Sequence, residues 1–293
     1  MRVLKVPSSV ISLVPSITES LFDMGLGQYV VGITDYCIFP ADKVSKITKV
    51  GGPKSVKVPL VCDLKPDLIL ANQEENSKEA IEALIAQNQP VVMFFPKTVD
   101  QAIQDLYQIG KIFQNSRSIQ IVQSLEKSIE WLRLSSENIR TFRYFCPIWQ
   151  GVHGESLQWW MTFNEEVYAS DLLRLFGGIN CFAGRTRRYP LEADLGLGKP
   201  ERREGRDERY PRVTREEIIA ADPDVIILPT EPYPYKAHHV SLFEKLFVDL
   251  KVEKPIKVVL VDGTLITWHG TRISHSLRQL PAILQCKDMT NVR

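Results

Sequence analysis

Nowhere in this sequence do about eighteen apolar residues run together, so no membrane-spanning helix is expected. Charge of one sign is also missing: the formal net charge is +1, which gives no electrostatic reason to expect nucleic acid or an acidic membrane as partner. Cysteine is sparse. Cys37, Cys62, Cys146, Cys181 and Cys286 are an odd set, widely spaced and without C-x-x-C, which reads as free thiols and not as a disulfide framework or a zinc site. There is no H-x-x-x-H or H-E-x-x-H, so no protein-only metal site is expected. G-x-G-x-x-G, the Walker A loop and the G-x-S-x-G elbow are all absent, and the adjacent carboxylates Glu74–Glu75 and Glu165–Glu166 diverge, so no enzyme signature stands out. The opening "MRVLKVPSSVISLVPSITES" lacks an unbroken apolar core and an A-x-A site. As written, the chain reads as cytoplasmic; it would be periplasmic if a leader had been trimmed.

What the sequence does contain is a phrase written twice. "DLKPDLILAN" (Asp63–Asn72) and "AADPDVIILPT" (Ala220–Thr230) share a polar lead-in, a Pro-Asp pair, an apolar run and a polar stop. Each belongs to a longer series in which short apolar strands alternate with helices. In the first half the strands are "VISLVPS", "YVVGIT", "DLILA" and "PVVMFF"; in the second they are "YFCPIWQG", "DVIILP" and "IKVVLVDG". Such uniformly apolar strands between helices predict parallel sheets covered on both faces, hence an α/β fold of two lobes. Between the halves, Ile119, Val122, Leu125, Ile129 and Leu132 recur at helical spacing with no Gly or Pro, predicting one helix over Ser116–Ile139 of about 35 Å. The expected organisation is a lobe over 1–115, the spanning helix over 116–139 and a second lobe over 140–293. A helical connector predicts little domain closure. Within the second lobe, Ala183–Arg212 is rich in charge, Gly and Pro and has no apolar period; it reads as a long loop, mobile in part, with its acids interleaved among its arginines.

In open parallel sheets ligands bind beyond the carboxyl ends of the strands. That rule selects Pro15–Ser16, Thr34–Tyr36, Asn72–Glu74 and Phe95–Lys97 in the first lobe. In the second it selects Trp149–Gln150, Glu231–Tyr233 and Thr264–Arg272. These stretches are rich in flat aromatic surfaces, Tyr36, Trp149, Tyr233, Tyr235 and Trp268, although each alone is equally open to a packing role. Of the neighbours Trp159 and Trp160, only one can face a ligand if both lie in a strand. His269 is open to ligand bonding, metal ligation or helix capping, and Arg272 to an anion clamp or a helix start.

The stretches "VISLVPSITESLFDMGLGQYVVGITDYCIFP", "KVGGPKS", "DLKPDLILAN" and "GGINCF", with the spanning helix, resemble the class III periplasmic binding proteins over nearly the whole chain. These are helical-backbone receptors that carry cobalamin, ferric siderophores or haem to ABC transporters, and the likeness is greatest to the cobalamin-binding members. The resemblance implies that Tyr36 and Tyr210 fall at aromatic cleft positions and that Glu216 faces the transporter. Three departures accompany it: Pro59 stands where the other docking glutamate is expected, Asn72 replaces an aromatic, and the Ala183–Arg212 loop is longer. The expected function is a monomeric binding protein, not an enzyme, for a cobalamin-like, haem or ferric-siderophore ligand, with no intrinsic cofactor, acting either with an ABC permease as partner or as a cytoplasmic homologue that meets none, a choice that Pro59 leaves open. Tyr36, Tyr210, Tyr233 and Trp268 would wall the ligand; Asn72, Gln73, His269 and Arg272 would make polar contacts. The rival reading is a cytoplasmic enzyme or metal chaperone acting on a tetrapyrrole, with His269 as its titratable group.

Overall fold

The computed structural model describes residues 5–135, 140–201, 204–248 and 256–284. Cys286 lies outside them. The chain divides into two compact units: Met1–Glu130 with Trp268–Ser274, and Trp131–Thr267 with His275–Arg293. The segment around His269 therefore belongs to the first unit although it follows the second in sequence.

The first unit runs β1 (Val10–Ser12), α1 (Pro15–Asp23), β2 (Val30–Ile33), α2 (Ala41–Val44), β3 (Thr48–Lys49), β4 (Gly51–Gly52), β5 (Ser55–Val56), α3 (Val58–Asp63), β6 (Leu68–Asn72), α4 (Lys78–Ala86), β7 (Val91–Phe94) and α5 (Val99–Ile112). Its parallel sheet has the order β3-β2-β1-β6-β7, and β4 and β5 form a separate hairpin. Pro15 opens α1 at a position where its missing N–H costs nothing. All five residues of β6 are buried, as a central parallel strand requires, whereas Met93 on the edge strand β7 is exposed. Ile11, Leu13, Val50, Ile69, Ala71 and Leu84 are among the residues of the core on one side of this sheet.

Helix α6 (Ser116–Ser135) continues from the first unit past Glu130. Its 20 residues make a rod of about 30 Å. The last four residues of the helix expected from sequence, 136–139, lie outside the described residues.

The second unit runs β8 (Phe142–Phe145), β9 (Trp149–His153), β10 (Leu157–Met161), α7 (Tyr168–Arg174), β11 (Gly178–Asn180), α8 (Leu191–Asp194), β12 (Arg212–Thr214), α9 (Arg215–Ala220), β13 (Val225–Pro229), α10 (Ala237–Val248), β14 (Lys257–Val261), α11 (Thr264–Thr267) and α12 (Ile273–Leu284). Its parallel sheet has the order β11-β8-β13-β14. The duplicated phrase is thus β6 and β13, each fully buried and each lying between the first strand of its unit and the last.

Two sequence expectations are corrected here. "YFCPIWQG" is not one strand: it splits at Pro147 into β8 of the parallel sheet and β9 of a three-stranded antiparallel sheet, β12-β10-β9. Proline supplies no N–H for a ladder, so the chain leaves one sheet there and enters another. The Ala183–Arg212 segment is also more built than a floppy loop. Asp194 is buried at its centre and accepts hydrogen bonds from the backbone N–H of Arg188 (3.0 Å) and Arg212 (2.8 Å), with the Arg185 guanidinium 3.4 Å away. One buried carboxylate organises the segment through charge-assisted bonds, so it needs no apolar period.

Candidate functional site

In the first unit the loops at the carboxyl ends of β2 and β6 and the β4–β5 hairpin surround a concavity of about 360 Å³ lined by Tyr36, the Gly52–Ser55 turn, Glu74 and Glu75. Tyr36 is 65% exposed, unusual for so large an apolar ring, and it stands on a loop that is held from beneath. Asp35 N–H donates to the Gly51 carbonyl (2.9 Å) and Cys37 N–H to the Thr34 carbonyl (3.1 Å). Lys49 Nζ donates to the carbonyls of Thr34 and Cys37. Thr18 Oγ1 meets Cys37 Sγ at 3.0 Å, and burial pushes that thiol's pKa up, so it is a packing group here. The hairpin turn requires glycine at position 51, where φ is +97° and a Cβ would strike the Ser55 carbonyl. A Cβ at Gly52 would press on the Ser55 hydroxyl at 2.9 Å and would meet the Tyr36 ring at ordinary contact distance. Lys54 Nζ donates to the Glu74 carbonyl at 2.6 Å, tying hairpin to the β6 loop.

The polar residues expected to meet a ligand form a buried cluster behind this surface. Asn72 Oδ1 accepts from the N–H of Glu74 (2.7 Å) and Glu75 (3.2 Å), which fixes its amide so that Nδ2 lies 3.2 Å from His269 Nε2. Ser16 Oγ is 3.4 Å from the same ring nitrogen. Asn72 is 3% and His269 7% exposed. Burial pushes the His269 pKa down to about 4, so the ring is neutral and a weak base near pH 7. Three residues on, Arg272 donates from Nη1 to Glu19 Oε1 at 2.8 Å, both side chains being buried. Its guanidinium lies 4.7 Å from the centre of the Phe39 ring and 5.6 Å from that of Trp268, which itself packs edge-on to Phe39. The whole segment is fastened to α1: Thr271 N–H donates to Ser20 Oγ (3.1 Å) and its hydroxyl to Asp23 Oδ2 (2.7 Å). Gly270, at φ +83°, has no room for a Cβ against Ser20. Gln73, by contrast, is exposed.

In the second unit Trp149 is 45% exposed and stands edge-on to Tyr233 at 5.5 Å. The Tyr233 hydroxyl accepts from Gln150 Nε2 (2.9 Å), and its ring packs on Tyr235 and His239. Tyr235 is buried in the core with Phe145, Trp160 and Phe243. Of the adjacent tryptophans, Trp160 is the buried one, while Trp159 lies partly exposed under Arg212. Tyr210 is half-buried, with Arg209 5.2 Å from its ring. Glu216 is exposed in the first turn of α9, a helix secured by a capping box between Thr214 and Glu217. The first unit therefore gathers Asn72, Trp268, His269 and Arg272 around α1 and leaves Tyr36 and Gln73 exposed; Tyr210, Tyr233 and Glu216 belong to the second unit. The strand-end rule selects Ser16, but sequence reasoning missed Glu19, whose only signal was that polar residues follow "SLVP" on what becomes a buried helix.

The sequence profile of the periplasmic binding proteins matches residues 10–240. A vitamin B12-binding protein of Yersinia pestis (strain Pestoides F) is 27% identical over 223 residues, 75% of this chain and 68% of the relative. The periplasmic vitamin B12-binding protein of Vibrio cholerae matches with a TM-score of 0.73 over 96% of this chain and 98% of its own, at 18% identity. The apo form of a periplasmic heme-binding protein from Roseiflexus sp. RS-1 matches with a TM-score of 0.67 over 94% and 97%, also at 18% identity. At these identities the solved structures establish the fold.

Proposed function

This chain belongs to the periplasmic binding protein family, and from that premise we propose that it is a substrate-binding protein for a cobalamin-like or haem-like metal chelate, delivered to an ABC permease. The observation that carries the reading is Tyr36: a ring 65% exposed, on a loop locked from below, beside a concavity lined by the Gly52–Ser55 turn. A rigid aromatic face held in place before binding suits a broad planar ligand, because little ordering cost is left for the moment of binding. Trp149 with Tyr233 is the corresponding aromatic surface of the second unit. Ligands named for relatives, vitamin B12 and heme, have such planar faces. Glu216, exposed on its capped helix, is the proposed contact to the permease, and Pro59 leaves that docking one-sided. Among the described residues no helix is long and apolar enough to cross a membrane, so the permease is a separate partner in this reading.

The test is tryptophan quenching on titration with cobalamin, haem and a ferric siderophore. One of them should bind saturably. Tyr36→Ala should weaken it about tenfold, the value of one aromatic face at about 1–1.5 kcal/mol. Saturable binding by none of the three, or full affinity in Tyr36→Ala, would refute the reading.

A further inference from the structure

The arginines of the segment between β11 and β12 divide into two sets. In the first, each guanidinium is matched to a carboxylate. Arg209 holds Asp207 through Nε (2.9 Å) and Nη2 (2.6 Å), and Arg185 lies against Asp194 (3.4 Å) and Glu217 (3.5 Å). In the second set, Arg187, Arg206 and Arg212 form no ion pair among the described residues. Arg187 and Arg206 share one aromatic neighbour, and Arg212 is tied into the same segment through Asp194. The guanidinium of Arg187 stands 4.1 Å, and that of Arg206 4.6 Å, from the centre of the same ring, Tyr189. The Nε atoms of Arg187 and Arg212 are buried without a hydrogen-bond partner, as is that of Arg185 in the first set, while Arg212 Nη1 donates to the Tyr210 carbonyl at 3.5 Å. Burial first, and then the proximity of Arg187, hold the Arg212 pKa below its ordinary value; burial does the same to Arg187, opposed in part by Tyr189, Asp194 and Asp207 and aided least by Arg206.

This arrangement costs free energy as it stands. Like charges are brought together, and buried donors lack acceptors. The scaffold holds them there regardless. Arg187 N–H donates to the Glu208 carbonyl (2.8 Å), Arg212 N–H to Asp194 Oδ2 (2.8 Å), and the Tyr189 hydroxyl to the Asp207 carbonyl (2.7 Å). The nearby acids Asp194 and Asp207 are also engaged by Arg185 and Arg209, so they offset the charge of the cluster only in part. An anion with several acceptor oxygens would relieve both penalties at once, and guanidinium forks match a phosphate better than they match a halide.

We propose that Arg187, Arg206 and Arg212 form a binding site for a multiply charged oxyanion of the phosphate class, with Tyr189 as the surface that holds two of the three guanidinium groups together. The proposal does not rest on the ligand proposed above.

Isothermal titration with inorganic phosphate and with pyrophosphate, at constant ionic strength, tests it. Both should bind saturably, pyrophosphate more tightly, and both should weaken as salt is raised. Arg206 is exposed, so Arg206→Gln should fold normally and weaken phosphate about tenfold. Arg187→Gln combined with Arg206→Gln should abolish saturable binding; if that pair does not fold, Arg206→Gln alone decides. Arg117→Gln, an exposed charge on α6 outside the cluster, should change nothing. The proposal is overturned by the absence of saturable binding, by wild-type affinity in Arg206→Gln, by an equal loss in Arg117→Gln, or by acetate binding as tightly as phosphate.

Discussion

The buried imidazole of His269 makes the protein's stability depend on pH in a defined direction. The Asn72 amide is oriented by two backbone donors, so it is an N–H that faces His269 Nε2, and that nitrogen must accept. Protonating it would set N–H against N–H in a site 7% exposed. Burial already depresses the native pKa to about 4 from the ordinary 6.5. The unfolded chain therefore takes up a proton near pH 6.5 and the native protein only near 4. Between those values the unfolded state binds more protons, so stability is complete above pH 6.5 and falls as the pH drops towards 4. A depression of this size is worth about 3 kcal/mol in all, of which about 2.5 kcal/mol would be gone by pH 4.5. Urea unfolding at pH 7.5 and 4.5, for the wild type and for His269→Gln, isolates this share, because carboxylates that titrate over the same range contribute equally to both proteins. The wild type should lose about 2.5 kcal/mol more than the variant over that interval. A 13C-histidine NMR titration reads the pKa directly. A resonance of His269 titrating near 6.5, or an acid slope unchanged in the variant, would refute the assignment of a neutral, acceptor Nε2.

Asp105 predicts the opposite slope. Burial raises its pKa to about 7, and its Oδ2 is buried with no hydrogen-bond partner among the described residues, so its ionisation opposes folding as pH rises from about 4 to 7. Asp105→Asn should raise Tm at pH 8 and lose that advantage below pH 4; an equal effect at both would show that charge is not the cause. For the pair Arg272–Glu19, Arg272→Met alone should cost about 3–5 kcal/mol, because it strands a buried carboxylate, while the double change Glu19→Leu with Arg272→Met should recover most of the loss. Additive losses in a denaturation cycle would show that the two do not interact.

The α/β architecture was legible because its carrier, the apolar strand between helices, is a local pattern. β6 and β13 read the same in sequence and occupy the same place in their sheets. The antiparallel sheet was not legible. β9, β10 and β12 are joined by pairings that the short, mixed-polarity segments do not advertise, and β12 comes from beyond the charged segment. That segment misread for a related reason: its order comes from Asp194, and a single buried carboxylate leaves no periodicity to find. At the candidate site, the strand-end rule drew attention to Tyr36, Asn72 and the His269 segment from sequence alone. It gave no indication that Ser16 and Glu19, on the helix after β1, would be their partners, because a contact spanning some 250 positions has no local signature.

The distinction between exposed and satisfied groups decides which residues are free to recognise a ligand. Arg272 has the chemistry of an anion clamp, yet its guanidinium is already spent on Glu19 and on the faces of Phe39 and Trp268. Handing it to a ligand would leave the Glu19 carboxylate buried beside a departing partner, at a cost of several kcal/mol that the new contact would have to exceed. His269 and Asn72 are partnered in the same way: His269 Nε2 meets Asn72 Nδ2 and Ser16 Oγ, and Asn72 Oδ1 holds two backbone donors. The physical role that follows for these residues is to fix the loop ends, Arg272 by clamping Trp268 and Asn72 by holding the turn that carries Glu74 and Glu75 into the wall of the concavity. In the proposed function, recognition falls to groups whose surfaces are uncommitted, with Tyr36 first among them. That is why the affinity of a planar ligand should respond to Tyr36→Ala directly, and to changes at Asn72 or Arg272 only through the stability and shape of the surface they support.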